Sequence, residues 1–139
     1  MIVRTKIIQV KSIAEDDMID ITQQVNIAVE ESKIVDGIVT VFVSGSTAAV
    51  TTIEYEPGLR HDFPEMLSRI APKNIEYEHD KTWHDCNGHS HVRASLIGPS
   101  LTVPFTNSRL LLGTWQQIVL IEMDTRSRHR SIIAQIIGE

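Results

Sequence analysis

The sequence is short of cysteine, of long apolar runs and of positive charge. Its one cysteine, Cys86, cannot form an internal disulfide, which agrees with a reducing compartment. No apolar run approaches the roughly 18 residues of a membrane span, and the first residues show no signal-peptide pattern. The net charge of −5 and the isoelectric point near 5.6 argue against a general nucleic-acid binder. We therefore predict a cytoplasmic protein that binds neither nucleic acid nor membrane.

What the sequence does contain is enough apolar residues for one core. Hydrophobic residues make up 42% of the 139 positions, which predicts a single domain over residues 1–139. There is no internal repeat and no low-complexity segment. A short basic cluster at 126–130 is more typical of a solvated strand or hairpin than of an RNA site.

The first half of the chain alternates strand and helix patterns. Thr22 is a plausible N-cap for a helix that runs to about Lys33. The β-branched run 38–43 predicts a strand buried on both faces, and 44–52 reads as a loop of small residues. A second helix is expected between Gly58 and Pro72, with Pro64 interrupting it. Further short strands are predicted at 2–10 and 19–21.

The second half of the chain reads as consecutive strands joined by short turns. We predict them at 89–97, 100–105, 109–112, 116–123 and 130–137. Early helices followed by late strands indicate an α+β fold rather than a doubly wound one. The expected architecture is a sandwich-like core with a largely antiparallel or mixed β-sheet and two helices.

Residues 83–95 concentrate groups that can carry chemistry. They hold three of the six histidines, an aspartate, the only cysteine and an arginine. If 89–96 is a strand, its period of two places His89, His91 and Arg93 on one face. Two imidazoles about 7 Å apart could then ligate one divalent ion, and a guanidinium beside them could hold an anion. The turn-forming pair Asn87-Gly88 could fold His84 back as a third nitrogen ligand.

Each of these features also has a plain structural interpretation. A face with histidine, serine and arginine is often the wet side of an antiparallel sheet. Cys86 is as well explained as a small packed side chain as it is as a ligand.

The loop Ser44–Ala49 follows a buried strand, so its backbone N–H groups and the hydroxyls of Ser46 and Thr47 could bind phosphate. It lacks the lysine of a P-loop, and a plain tight loop is the more common explanation of such a segment. Glu54 could serve as a general base, and Gln116 could turn its amide toward a ligand.

Three motifs together resemble one family, the YjbQ-like proteins, which are described as secondary thiamine-phosphate synthases. They are an Asn-x-His-x-His run that continues to Gly-Pro-Ser at 98–100, the Gly-Thr-Trp-Gln at 113–116, and Glu122-Met123-Asp124. Their order and spacing are specific, and the likeness covers nearly the whole chain.

The resemblance implies a homotrimer, a divalent metal, which is zinc or alternatively magnesium, and a small phosphorylated metabolite as partner. The activity attached to some members joins hydroxymethylpyrimidine diphosphate and thiazole phosphate and releases diphosphate. On that basis the expected metal ligands are His84, His89 and His91. The remaining candidates are catalytic (His84, Glu54 and Asp85) or phosphate-binding (Arg93, Ser46, Thr47 and Gln116).

One position departs from the family's pattern. Many members carry a histidine in the loop after the buried strand, where this chain has Gly45. This difference favours two alternatives to the synthase. One is a metal-dependent phosphohydrolase, and the other is a protein that binds a phosphorylated metabolite without turning it over.

Overall fold

The computed structural model describes all 139 residues and contains eight strands and four helices. In chain order the first six elements are β1 (Ile2–Lys11), β2 (Met18–Asp20), α1 (Thr22–Ser32), β3 (Gly37–Val43), β4 (Ala48–Ile53) and α2 (Pro57–Ile70). The last six are α3 (Glu78–Trp83), α4 (Gly88–Ile97), β5 (Ser100–Thr106), β6 (Arg109–Leu110), β7 (Gln117–Glu122) and β8 (His129–Gly138).

The strands form two antiparallel sheets. The larger sheet has the order β1-β8-β3-β5-β6, and the smaller has the order β2-β7-β4. The predicted α+β class with a largely antiparallel sheet is therefore confirmed. No helix is both long and apolar enough to cross a lipid bilayer.

The main core lies between the larger sheet, one face of the smaller sheet and helix α1. Val39, Val41 and Val43 of β3 point into it and are fully buried, whereas Ile38 and Phe42 on the other face are 44% and 38% exposed. Burying an aliphatic side chain of this size stabilises the fold by about 1.5–3 kcal/mol. The prediction that β3 is buried on both faces is wrong for the isolated chain, because nothing covers the outer face of the larger sheet.

The smaller sheet is covered on both faces. Val50 and Leu120 belong to the main core, while Ala49 and Val119 face a second cluster with Leu67 of α2 and Ala94 of α4. Helix α4 thus packs against β4, and this contact positions the residues around 88–97.

Several predicted elements need correction. The chain has four helices instead of two, and β4 occupies most of the expected loop at 44–52. Helix α1 begins after Ile21, and the Thr22 hydroxyl instead accepts a hydrogen bond from Ile118 N (2.8 Å). Helix α2 runs through Pro64 without a break, and its N-terminus is capped by the Glu56 carboxylate.

The largest correction concerns 89–97, which is a helix and not a strand. In the sequence the apolar residues Val92, Ala94 and Leu96 are two apart, which is the spacing of a strand. In the structure the buried residues Ser90 and Ala94 are four apart, which is the spacing of a helix, and Val92 and Leu96 are exposed. Packing on the smaller sheet, where Ala94 meets the second cluster, decides in favour of helix.

Candidate functional site

Helix α4 separates the two histidines that the strand prediction placed together. Residues two apart on a helix are rotated by about 200°, so His89 and His91 project from nearly opposite faces. The geometric reason for pairing them as metal ligands is therefore wrong, and each must be considered with its own neighbours.

His89 lies in a closed cluster of charges. It is 2% exposed, and its Nε2 is 2.5 Å from Glu15 Oε1, while Glu15 Oε2 accepts from Lys73 Nζ (2.6 Å). Burial raises the pKa of the Glu15 carboxyl, but the hydrogen bonds from Lys73 and His89 outweigh burial and lower it overall. These bonds tie α4 to the loop after β1.

Arg93 belongs to the same side of α4. It is 1% exposed, its Nε donates to the carbonyl of Ala71 (2.9 Å), and its Nη1 is 3.7 Å from Asp16 Oδ1. Burial raises the pKa of the Asp16 carboxyl. The structure thus places Arg93 against backbone and an acid, away from the cavity beside His91.

His91 lines a small cavity of about 200 Å³ on the opposite side of α4. The walls come from the β3–β4 loop, the start of β4, α4 and the segment between α4 and β5, and they comprise Gly45, Ser46, Ala48, His91, Ala94, Ser95 and Pro99. The hydroxyl-bearing residues Ser46 and Ser95 are exposed there. Of the predicted site residues, this cavity brings together His91 and Ser46.

His79 packs against His91, with ring centroids 4.3 Å apart and the ring planes tilted by 50°. Burial lowers the pKa of the His91 imidazole, and the neighbouring His79 lowers it further. At neutral pH His91 is therefore uncharged and can accept a hydrogen bond or a proton. Asp85 lies 3.5 Å from His79 Nε2.

The side-chain amide of Asn87 sits between two carboxylates. In one orientation its nitrogen donates to Asp124 Oδ1 (3.3 Å). In the opposite orientation the nitrogen donates to Asp85 Oδ1 (3.0 Å) and to His79 Nε2 (3.1 Å). The second orientation makes more and shorter hydrogen bonds, so we assign it, and Asn87 then fixes His79 and Asp85 relative to α4.

The loop beside His91 carries unpaired backbone donors. The N–H groups of Gly45, Ser46 and Thr47 make no hydrogen bond within the chain, whereas Ser44 N donates to Ser131 O (3.1 Å) before them. These N–H groups have no partner within the chain, so they are available to an acceptor such as an anionic oxygen.

The Thr47 side chain has a different role from its backbone. Its buried hydroxyl donates to Asp124 Oδ2 (3.2 Å) and accepts from Arg130 Nη2 (2.9 Å). The hydroxyl is fully used inside the protein and the carbonyl accepts from Met123 N and Arg130 Nη2, so only the backbone N–H of Thr47 is free to meet a ligand.

Behind the loop lies a network of buried charges. The Glu122 carboxylate, fully buried, accepts from Arg130 Nε (3.0 Å) and pairs closely with Arg130 Nη2. Asp124 accepts from Arg128 Nε (2.8 Å). Burial raises the pKa of Asp124, but hydrogen bonds from Thr125 N–H and from Arg128, with a further one from Asn87 in its first orientation, lower it to about 2.

Two predicted residues lie at the other end of β4. Glu54 follows the last residue of β4 and is exposed, and the Gln116 amide accepts from Gly113 N (3.0 Å) and donates to Thr52 Oγ1 (3.1 Å). The length of β4, about 17 Å, separates them from the cavity beside His91. Gln116 lines a larger groove of about 720 Å³ between α1, β6 and residues 112–117, whose walls contain no histidine.

His84 is exposed at the C-terminal end of α3, with a left-handed backbone conformation (φ 57°). Cys86, also exposed, lies two residues later. No three His, Cys, Asp or Glu side chains of the chain are grouped closely enough to hold a metal ion. The set His84, His89 and His91 therefore does not fit a divalent ion within one chain.

Sequence reasoning missed His79, Asn87, Asp124 and Arg130 as parts of this site. A signal existed for two of them, since Asn87 and Asp124 belong to the motifs on which the family resemblance rests. His79 and Arg130 lie in no motif, and only the fold brings them next to residues 45–47 and 91.

Comparisons with known proteins agree with this picture of the fold. The sequence matches the family described as UPF0047 protein YjbQ-like over residues 6–139. It is 36% identical over 132 residues to a UPF0047 protein of Methanocaldococcus jannaschii, covering 94% of this chain and 92% of the relative. It is 33% identical over 121 residues to the UPF0047 protein YugU of Bacillus subtilis, covering 86% and 89%.

Solved structures are similar over the same length. A YbjQ-like protein of unknown function from Sulfolobus solfataricus P2 superposes with a TM-score of 0.89 and 33% identity, covering 99% of each chain. A hypothetical protein from Aeropyrum pernix K1 gives a TM-score of 0.89 and 32% identity, covering 98% of this chain and 99% of the other.

Proposed function

The chain belongs to the UPF0047 YjbQ-like family, and on that premise we propose that it binds a phosphorylated metabolite beside His91 and acts as a thiamine-phosphate synthase-type enzyme. The proposed reaction joins hydroxymethylpyrimidine diphosphate to thiazole phosphate. A bond forms between the thiazole nitrogen and the pyrimidine methylene carbon, the carbon–oxygen bond to the diphosphate breaks, and diphosphate leaves.

The observation that carries the proposal is the row of free N–H groups at 45–47. Gly45 and Ser46 are exposed, so water can bind their N–H groups in the free protein, and a ligand oxygen in the cavity can take the place of that water. Phosphate oxygens suit such donors, because charged acceptors form the stronger hydrogen bonds. Donors held in place before the reaction also stabilise the charge that develops on a leaving diphosphate.

His91 is the residue of the cavity that can act as an acid or a base. Because its pKa is lowered, it is uncharged at neutral pH and can accept a proton or orient a substrate hydroxyl or amine. Asp85 supports it indirectly through His79, which it approaches to 3.5 Å. His84 and Glu54 lie outside the cavity of one chain, so their proposed catalytic roles would require a neighbouring subunit.

The size of the cavity bears on the choice of reaction. A volume of about 200 Å³ is below the 300–1,000 Å³ typical of small-molecule sites, so within one chain it holds a phosphate group with little else. A second candidate function is therefore a phosphohydrolase acting on the phosphate end of a substrate. The third is binding without turnover.

We also propose the homotrimer that the family resemblance implies. It is supported by the uncovered outer face of the larger sheet, where Val3, Ile7, Ile38 and Phe42 are 49%, 56%, 44% and 38% exposed. These residues form two apolar rows with a polar row of Thr5, Gln135 and Thr40 between them, and such a mixed surface is typical of a subunit interface. A bound divalent ion, zinc or magnesium, stays a prediction, and elemental analysis of protein purified without chelator tests it.

The experiment compares wild type with His91→Ala and with His61→Ala. His61 is the matched control, because it is an exposed histidine on α2, outside the site. Each protein is incubated with hydroxymethylpyrimidine diphosphate and thiazole phosphate, and thiamine phosphate and diphosphate are quantified. We expect product from wild type and from His61→Ala, and a loss of at least 100-fold in His91→Ala.

Other outcomes select between the alternatives. Release of inorganic phosphate from a panel of phosphate esters, with no thiamine phosphate, would replace the synthase by the phosphohydrolase. Binding of phosphate or diphosphate with no turnover would leave the binding protein. Equal activity in wild type and His91→Ala would remove this cavity as the site.

A further inference from the structure

We propose that Arg130 is a phosphate-binding residue of the His91 cavity, and that its Nη1 reaches the ligand through the gap left by the missing side chain of Gly45. The ligand class is a phosphate or diphosphate group. The inference rests on the proposed function, since both place phosphate at residues 45–47, but it assigns a residue that neither the sequence motifs nor the cavity walls include.

Arg130 has one terminal nitrogen to spare. Its Nε donates to Glu122 Oε1 (3.0 Å), and its Nη2 donates to Thr47 O (3.1 Å) and Thr47 Oγ1 (2.9 Å) and pairs with Glu122 Oε2. Nη1 makes no hydrogen bond within the chain, although the side chain is only 6% exposed. Nη1 still reaches solvent, since the only buried side-chain polar atoms without a partner are Asp16 Oδ1 and Ser90 Oγ, and a ligand acceptor can therefore reach it too.

The position of Nη1 points to the cavity. It lies 2.8 Å from the place that a Cβ on Gly45 would occupy, and Gly45 is one of the residues that line the cavity beside His91. Any side chain at 45 would stand between the guanidinium and the ligand or push the guanidinium away. Glycine therefore leaves the approach to Nη1 open.

The guanidinium is held rigidly where it stands. Glu122, fully buried, fixes Arg130 from one side through two nitrogens, and Ser12 Oγ donates to the same carboxylate (2.6 Å). The Thr47 carbonyl and hydroxyl fix it from the other side. A preorganised arginine loses little side-chain entropy on binding, and its planar donors match phosphate oxygens.

Together these donors form one anion site. The N–H groups of 45–47 and Nη1 come from the loop and from β8, so two different elements converge on the same ligand. The guanidinium also supplies positive charge, which the backbone donors and the uncharged His91 lack.

The test measures binding of inorganic phosphate and of inorganic diphosphate by titration calorimetry. Two variants act on the proposed contact. Gly45→Ala places a methyl group at the 2.8 Å position, and Arg130→Lys keeps the charge but removes the second terminal nitrogen. Gly113→Ala is the matched control, since its added Cβ would meet only ordinary contacts, the nearest at 3.5 Å. Thermal melting verifies that each variant is folded.

We expect wild type and Gly113→Ala to bind diphosphate equally, and Gly45→Ala and Arg130→Lys each to raise its Kd about tenfold or more. If Arg130→Lys does not fold because the Glu122 pair is disturbed, Gly45→Ala decides. Unchanged affinity in Gly45→Ala, with binding lost in His91→Ala, would overturn the role of Arg130 and leave the proposed site intact. Absence of binding by wild type would overturn both.

Discussion

Buried charged side chains in this protein occur with partners of opposite charge or with backbone acceptors. Glu122 pairs with Arg130, Asp124 pairs with Arg128, and His89 meets Glu15. A buried charge is tolerated only when it is paired and hydrogen-bonded. For this reason a histidine or arginine in a dense polar motif can hold the fold together and need not touch a ligand, as Arg93 demonstrates.

Asp124 makes the stability of the folded protein depend on pH. Its pKa falls from 3.8 to about 2 on folding, so its contribution is complete above pH 4 and is lost as the pH falls toward 2. The shift corresponds to about 2 kcal/mol. In urea unfolding from pH 6 to pH 2, we expect Asp124→Asn to lose less stability than wild type by about that amount.

The control for this series is Asp62→Asn, which replaces a carboxylate that is 72% exposed. It should follow the wild-type curve. Parallel curves for wild type and Asp124→Asn would show that the hydrogen bonds to Asp124 carry no acid-sensitive stability.

At the scale of elements, α4 decides where the site lies. It begins at Gly88, which packs so closely on the loop before α3 that an added Cβ would lie 2.5 Å from Tyr77 Cβ and 2.8 Å from Tyr77 Cγ. The start of the helix is therefore fixed by contact with Tyr77 as well as by its own hydrogen bonds. This contact sets which residues of α4 face the cavity.

We expect Gly88→Ala to lower the free energy of unfolding by about 1–3 kcal/mol, because the methyl group overpacks against Tyr77. Calorimetric or urea unfolding measures the change. Val92→Ala on the exposed face of the same helix is the control and should change stability by less than about 0.5 kcal/mol, since Val92 is 46% exposed. A Gly88→Ala protein as stable as wild type would mean that Tyr77 moves aside without cost.

For the whole molecule, the larger sheet has an outer face that the chain leaves uncovered. Two rows cross it, since Val3 and Ile38 both pair with Ile137, and Ile7 and Phe42 both pair with Ile133. Apolar rows across three strands are unfavourable when they are exposed to water. Covering them with another surface lowers the free energy. The proposed homotrimer supplies such a surface.

We expect light scattering on a sizing column to give a trimer for wild type and a smaller species for Phe42→Asp, because a carboxylate in an apolar interface loses its hydration. Ile13→Asp makes the same kind of change at a residue that is 80% exposed and outside the sheet, and it should stay trimeric. An unchanged mass for Phe42→Asp would place any interface elsewhere.

Much of the fold could be predicted from local pattern. The α+β class, the strands near 2–10 and 130–137 and the helix from 22 follow from periodicity and composition, because these segments are long or strongly patterned. The helix at 88–97 could not, because over eight residues its apolar positions satisfy a period of two nearly as well as a helical one. Of the site, the loop at 45–47 and His91 could be nominated, but the strand prediction joined His91 to His89 and Arg93.

The sequence alone determined the family, the antiparallel α+β class and the small-residue loop as a candidate for phosphate, since each depends on residue types and short spacings. Tertiary structure decided which of the candidate side chains share a site. Helix α4 turns His89 and His91 apart because two residues span about 200° of a helix, and β4 separates Glu54 from the loop by its length. Only the packing of β8 beside that loop brings Arg130, 85 residues away in the chain, to Gly45, because such long-range contacts leave no local pattern in the sequence.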